Sequence, residues 1–310
     1  MRSYLLKRLI MMVPLTIMIS FLAFVLLSLA PSDPAEVALR VNEIVPTDLA
    51  IQSMRHELGL DRPFLIRYID WLWRCLHLDF GSSFVMKTSV LHEFMLAIPA
   101  TLYLAAVSLF IIVTLSLLLG ISCAMSEGSV LDKMVRGFIF LITAIPNYWI
   151  GLLLIWLLAV KMDWLPVGGM LEVKSVILPA VTLSLGYIGT YIRLIRGSML
   201  GQLHQNYVLY ARARGLPEPF IIGKHVLVNS LQSSLVAIGM SIPKLIAGTV
   251  VIENIFAWPG IGRLCVGAIF SRDYPIIQAY ILLMAVLFLL FNFFIDLLQV
   301  KIDPRYRGKQ

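Results

Sequence analysis

Apolar residues gather into six long blocks, at residues 9–30, 98–125, 134–160, 176–195, 231–252 and 275–300, with most polar residues between them. The first block alone makes a helix of ~33 Å, enough to cross a hydrocarbon core of roughly 30 Å. Each block is predicted to be helical, because an open strand in lipid leaves backbone N–H and C=O groups unpaired at several kcal/mol apiece. The apolar/polar alternation over segments of about ten residues that marks a membrane barrel is absent from the sequence. The expected fold is an all-α integral membrane protein with six transmembrane helices. A cleaved signal peptide is the rival for the first block, with Arg2, Lys7 and Arg8 ahead of it and Ser28, Leu29 and Ala30 at its end. The block exceeds the roughly 7–15 apolar residues of a signal peptide and Pro31 follows directly, so it reads as an uncleaved anchor.

Residues 31–97 are too many for a simple connector and are expected to fold outside the membrane. A helical pattern over 47–60 ends at Gly59. Residues 64–78 place Tyr68, Trp71, Leu72 and Cys75 at i, i+3, i+4 and i+7, the apolar face of an interfacial helix. That face suits either headgroup depth in the bilayer or a docking surface for an external partner. The chain thus divides into a short tail with a peripheral first helix (1–30), an external folded segment (31–97), a five-helix core (98–300) carrying an inner loop at 196–230, and a second tail (301–310).

Of the 310 residues, 59% are hydrophobic and 14% charged, where a soluble domain carries about 25% charged residues. In such a chain the net charge of +7 reports orientation before it reports nucleic acid. Fourteen Lys and Arg fall in the two terminal tails and in the loops after the second and fourth blocks, about 65 residues in all. The opposite side carries ten over about 105 residues, together with 13 of the 18 acids. The densely basic side is expected to be cytoplasmic, with both termini inside. With Arg136 and Arg193, at block ends, counted on the basic side, Lys244 and Asp296 are the charges left within the blocks.

Candidate chemistry is sparse. Cys75, Cys123 and Cys265 offer neither a disulfide framework nor a Cys-x-x-Cys knuckle. Cys75 and Cys265 share the outer side, which leaves pairing and free thiols both open. A phosphate-binding loop is missing: Gly223-Lys224 is followed by His225, and 218–222 lack the earlier glycine. There is no His-Glu-x-x-His zinc helix and no Gly-x-Ser-x-Gly elbow, so no catalytic residue is assigned and any energy must come from a partner. His56, His77 and His92 lie outside at spacings that match no local chelate, and Cys75 with His77 would not share a helix face, so no metal site is assigned either. The 14 methionines are read as soft packing.

The loop at 196–230 is the most informative stretch. Helix-forming residues through Arg214 are followed by Gly215, suited to a left-handed cap, and by Pro217 and Pro219 as stops. On this short helix Tyr207, Tyr210, Ala211 and Arg214 share one face. Two aromatic anchors, a small residue and a guanidinium suit a partner's groove; a basic inner helix also suits contact with anionic lipid.

The Ala211-Arg212-Ala213-Arg214-Gly215 core of this loop resembles the EAA loop of binding-protein-dependent ABC importer permeases. Further stretches in the same order resemble the dipeptide/oligopeptide/nickel branch of that family: Leu58-Gly59-Leu60-Asp61-Arg62-Pro63, Tyr68, Trp71-Leu72, Asp79-Phe80-Gly81, Pro146-Asn147-Tyr148-Trp149, Leu178-Pro179-Ala180, Ile252 through Arg263, Arg272-Asp273-Tyr274-Pro275 and Asp303-Pro304-Arg305. The wording around Trp71-Leu72-Trp73 and Ile252 through Arg263 is most similar to nickel-type permeases. Two departures stand out: Asn206 where many relatives carry an acid, and Val228-Asn229 where Arg-Asn is usual.

The resemblance implies a type I, MetI-like permease fold in the bacterial inner membrane. It implies a heterodimer with a second permease, two cytoplasmic ATPases that bind the ATP and Mg, and an external solute-binding protein; this chain would bind no cofactor. Tyr207, Tyr210, Ala211, Arg212, Ala213, Arg214 and Gly215 would form the ATPase-coupling helix. The cargo would be nickel or a related transition metal, as an ion or a chelate, with di- or oligopeptides as the alternative and a non-transporting scaffold or receptor as a different class.

Trp258-Pro259-Gly260 suits a type II turn, with Trp258 at the membrane interface. The resemblance implies that this turn lines an outer mouth, with Glu253 and Asn254 offering oxygen atoms nearby. Lys244 lies about eight residues, ~12 Å, inside the outer end of its block; it is expected to line the path or meet the second permease, with snorkelling to the interface as the other reading. Asp296, near the inner end of the last block, is expected to pair with a basic neighbour.

Overall fold

The computed structural model describes residues 2–31 and 33–302; the Asp303-Pro304-Arg305 stretch lies outside the described residues. Helices account for nearly all regular structure among them, with one isolated bridge between Ser82 and Ser89. In order they are α1 (Arg2–Ser28), α2 (Pro34–Val41), α3 (Asp48–Glu57), α4 (Phe64–Leu76), α5 (Val90–Met125), α6 (Val130–Ala144), α7 (Asn147–Leu154), α8 (Ile177–Leu203), α9 (Asn206–Ala213), α10 (Glu218–Phe220), α11 (Leu227–Ile255), α12 (Ile261–Ser271) and α13 (Tyr274–Ile302). Wider π turns at Ile155–Lys161 and Ile221–Val226 extend α7 and join α10 to α11.

Five helices are long and apolar enough to cross a bilayer: Arg8–Ser28, Val90–Met125, Val173–Leu203, Ser234–Ile255 and Tyr274–Leu297. The third expected span departs from the reading as one straight helix. It breaks into Val130–Ala144 and Asn147–Lys161, bent by 101°, and supplies a sixth crossing only if the pair counts as one. The cause is local. Ile145 precedes Pro146 and takes an extended conformation (φ −101°, ψ 131°), as the proline ring demands of its predecessor.

The described chain forms two compact units, Met1–Thr101 with Pro259–Leu290, and Leu102–Trp258 with Phe291–Gln310. These cut across the expected division at 30 and 97, because the external segment packs with the first helix.

In the first unit, α3 begins at its Thr47 cap and ends before Gly59, whose φ of +66° fits the expected stop. Arg55 ties this layer together, reaching Asp33 at 2.7 Å and Asp61 at 3.7 Å. The apolar face of α4 is turned inward and covered within the chain, which corrects its reading as a docking surface. Tyr68, Trp71 and Cys75 are buried in a cluster with Phe24 and Leu282. The Tyr68 hydroxyl donates to the Ile17 carbonyl at 3.0 Å and lies 2.8 Å from Ser20 Oγ. The opposite side of α4 carries the exposed Leu65, Ile66, Ile69, Trp73 and Leu76. Asp273 is buried beyond the end of α12, where it accepts hydrogen bonds from Ser83 Oγ (2.5 Å) and the Phe84 and Val85 amides (3.2 and 3.3 Å). All three cysteines are free and buried, so Cys75 and Cys265 do not pair. Burial pushes the Cys75 thiol up to about 12.

The second unit is organised on α8. Glycines let its neighbours approach: a Cβ on Gly120 would meet Ile195 at 2.9 Å, and one on Gly189 would meet Ile139 at 2.6 Å. Such small-residue contacts bring helices close in lipid, where apolar side chains gain nothing by leaving solvent.

Candidate functional site

The loop after α8 folds as expected in outline. The short helix α9 ends where Gly215 takes a φ of +75°. The Leu216 amide donates to Ala211 O at 3.2 Å and the Gly215 amide to Arg212 O at 2.9 Å, which satisfies carbonyls the last turn leaves open. Pro217 and Pro219 have a different role from the expected one. Pro217 caps the next helix and Pro219 sits in its first turn, where a missing N–H costs nothing, so the chain resumes helically at Glu218.

The faces of α9 also differ from the expected grouping. Val208 and Ala211 are buried against Ala124, Ile195, Met199, Ile221 and Val226. Tyr207 packs beside them and donates its hydroxyl to Gln202 Oε1 at 2.8 Å. Ala211 is thus part of the chain's own core and unavailable for close approach by another molecule. The outward set is Asn206, Leu209, Tyr210, Arg212, Ala213, Arg214 and Gly215, with Leu209 67% and Tyr210 73% exposed. Leu209 escaped the sequence reading, although its 3- and 4-residue spacing from Asn206 and Ala213 places all three on one stripe. Arg212 binds Glu218 at 2.5 Å; their hydrogen bond raises the guanidinium pKa and lowers that of the carboxyl.

A buried charge anchors α8 just ahead of this helix. Asp132, wholly buried, accepts hydrogen bonds from Arg196 Nε at 2.8 Å and Nη2 at 3.0 Å, and from the Gly128 amide at 3.1 Å. Arg136 stands 3.5 Å away. The sequence reading missed Asp132, yet a signal was present: Ser129 caps α6 and Asp132 follows three residues later, a pattern that fixes a helix start.

The middle of the second unit holds a polar strip. The bend before α7 brings in Asn147, whose amide occupies the space that a side chain on Gly186 would need. The next residue, Tyr187, donates its hydroxyl to the Lys244 carbonyl at 3.0 Å. Lys244 itself is exposed. Because α11 continues to Ile255, Lys244 lies eleven residues from that end and ten from Ser234, roughly 15 Å from either, so it sits deeper than the sequence reading placed it. Together with Met240, Ala247, Val251 and Asn254 it makes an exposed stripe at steps of three and four along α11. A lysine held against lipid at that depth costs about 2.5–3.5 kcal/mol on insertion scales, which argues for a wet or protein-covered face.

The outer turn is built differently from expectation. Gly260 has an extended conformation (φ −99°, ψ 174°), so no type II turn forms there. The left-handed residue is Ala257 (φ +49°), and the Trp258 amide closes the end of α11 by donating to Glu253 O at 2.8 Å. Glu253 and Trp258 are fully buried, with Trp258 stacked on Tyr103 at 6.2 Å, so neither presents its side chain at an open mouth or a lipid interface. The Gly169 amide donates to Phe256 O at 2.8 Å, and at Gly168 the backbone passes so close to that carbonyl that a Cβ would collide with it. Asn254 is exposed but spends its amide on the Val250 carbonyl at 2.8 Å. In the first unit, Pro259 is exposed, and Gly260 caps α12, whose first amide, Ile261, donates to Thr101 Oγ1 at 2.9 Å. Asp296 is half-buried on α13.

Long apolar helices, a polar strip within the second unit and a short capped helix on a loop between two helices are the features of a membrane permease. Comparison with known proteins identifies the family: residues 116–308 match the binding-protein-dependent transport system inner membrane component, and residues 1–105 match the N-terminal model of such membrane components. The chain belongs to this family, and is a multi-pass permease subunit of an ABC importer of the bacterial inner membrane. It is 37% identical over 308 residues to the metal-staphylopine import system permease protein CntB of Staphylococcus aureus, covering 98% of each chain. It is 35% identical over 316 residues to the oligopeptide transport system permease protein AppB of Bacillus subtilis, covering 98% of this chain and 99% of that one. Among solved structures, the MetNI methionine ABC transporter in an inward-facing form matches with a TM-score of 0.57 at 17% identity, over 68% of this chain and 96% of that chain, a likeness of fold.

Proposed function

We propose that this chain forms half of the translocation path of an ATP-driven importer for a transition metal such as nickel, carried as a small organic chelate. The observation that carries the reading is the match to a metal-staphylopine permease across 98% of both chains. Di- and oligopeptides are the second reading, favoured by similar identity to an oligopeptide permease. A second permease would cover the stripe of Lys244 and its neighbours, and the path would run between the two. An external binding protein would deliver the cargo, and two cytoplasmic ATPases would bind the ATP and Mg, with both termini on their side.

On this reading the outward face of α9, with Leu209, Tyr210, Arg212, Ala213, Arg214 and Gly215, docks in a groove of an ATPase, while Tyr207 and Ala211 tie the helix to the permease core. Closure of the ATPases moves α9, and the packing of Val208 and Ala211 on α8 and the π turn carries that movement into the spans as a rigid body. The helix transmits force and takes no part in phosphate chemistry. The test is uptake of radiolabelled nickel, with and without a chelator, and of a radiolabelled dipeptide, in cells lacking this chain and in complemented cells. Loss of chelated nickel uptake alone is expected. Loss of dipeptide uptake alone selects the second reading, and unchanged uptake of all of them removes both cargo readings.

A further inference from the structure

We propose that Lys244 selects for a carboxylate on the cargo, so that metal passes as an anion-bearing chelate and never as the bare hydrated ion. This rests on the importer reading above and adds a chemical requirement to it. Lys244 is exposed halfway along α11, and no acidic side chain lies within ion-pair distance of it among the described residues. An ammonium offers three hydrogen-bond donors and no acceptor. In a cavity of low dielectric it attracts a carboxylate and repels a divalent cation, each more strongly than in water.

Its mounting is firm. The Tyr187 hydroxyl donates to the Lys244 carbonyl at 3.0 Å, one residue after Pro243 in α11. Tyr187 is held in turn on α8 beside Gly186, into whose space Asn147 packs. The neighbours of Lys244 on the exposed stripe, Met240, Ala247 and Val251, bring no charge. The only formal charge on that stripe is therefore positive, and a cargo moving along it gains by presenting a negative group. A metal wrapped in carboxylates and a peptide with a free C-terminus both do so; a hydrated metal ion and a peptide amide do not.

The experiment uses the complete importer, with its own binding protein, carrying wild-type, Lys244→Gln or Lys244→Arg permease. Uptake is compared for nickel chloride against nickel citrate, and for dialanine against dialanine amide. Because the binding protein is the same throughout, any change in the acid-over-amide or chelate-over-ion ratio belongs to the permease. Lys244→Gln is expected to lower the ratio for the transported cargo at least tenfold, while Lys244→Arg keeps it within about threefold and both variants co-purify with the full complex. The metal and peptide arms distinguish the two sources of carboxylate. An unchanged ratio in Lys244→Gln overturns the proposal, as does loss of co-purification, which would make Lys244 a partner of an acid on the second permease. If Lys244→Gln moves nothing, recovery of the carboxylate cargo by Lys244→Arg supports the proposal and failure of that recovery overturns it. Wild-type complex that moves none of the four cargoes refutes the importer reading for these cargoes and the carboxylate requirement with it.

Discussion

Asp132 offers the sharpest test of how this fold is held together. Its carboxylate has no exposure and accepts two hydrogen bonds from Arg196, whose side chain is 19% exposed, and a third from the Gly128 amide. Asp132→Ala removes all three of these bonds and leaves a largely buried guanidinium with only the exposed Glu127 carboxylate, 3.7 Å away, as a charged neighbour, a change that typically costs about 3–5 kcal/mol. Arg196→Met is expected to be milder, about 2–3 kcal/mol, because Arg136 at 3.5 Å and the Gly128 amide still compensate the carboxylate. The double variant leaves no stranded charge, so its loss should fall short of the sum of the single losses by about 2 kcal/mol or more. For a unit of this size each kcal/mol corresponds to roughly 2–4 °C, which puts Asp132→Ala about 10 °C below wild type. Thermal unfolding of the purified complex in one detergent, followed by size-exclusion chromatography, reads this directly. Additive losses, or a shift of less than 2 °C for Asp132→Ala, would refute the assignment of this pair as the clasp that fixes the end of α8 next to α9.

Replacing the exposed Tyr210 with Ala should leave stability within about 0.5 kcal/mol while lowering ATPase co-purification several-fold; Ala211→Leu overpacks the core and should destabilise the permease itself by about 1–3 kcal/mol, read by thermal unfolding. Gly168→Ala drives a side chain into the Phe256 carbonyl and should destabilise the complex by about 1–3 kcal/mol, measured by thermal unfolding; a neutral result would show that the outer loop is free to shift. The Cys75 thiol, raised to about 12 by burial, stays protonated across the physiological range. Its labelling by maleimide at pH 7.5 should be at least 100-fold slower in the folded complex than after denaturation, read by mass spectrometry.

The properties legible in the sequence were those written in runs or at single steric points. Hydropathy alone locates the long helices, because a bilayer demands length and apolarity together. Gly59 and Gly215 stop α3 and α9 where expected, since only a residue without a Cβ takes a positive φ without strain. The break at Ile145 escaped because apolarity runs straight across it, and Pro146 was read within a continuous block. At the outer turn, Gly260 drew the positive φ in the reading, whereas the end of α11 imposed it on Ala257. The inward turn of Ala211 and the burial of Asp132 depend on residues distant in sequence, Ile195 and Met199 in one case and Arg196 in the other. A short helix with apolar residues on two sides does not declare which side its neighbours will cover, and an isolated acid in a basic loop reads as solvated until its partner is known.

The 101° corner between α6 and α7 has a consequence for the bilayer around it. Where α6 stops, its last carbonyls lose their helical donors, and hydrocarbon offers no replacement. Thr143, Ala144 and Pro146 lie exposed at that corner. Such an elbow is incompatible with bare acyl chains, so it has to border another polypeptide or a column of water. The kink thereby marks a place where lipid gives way to protein or water, next to Asn147, which packs on α8.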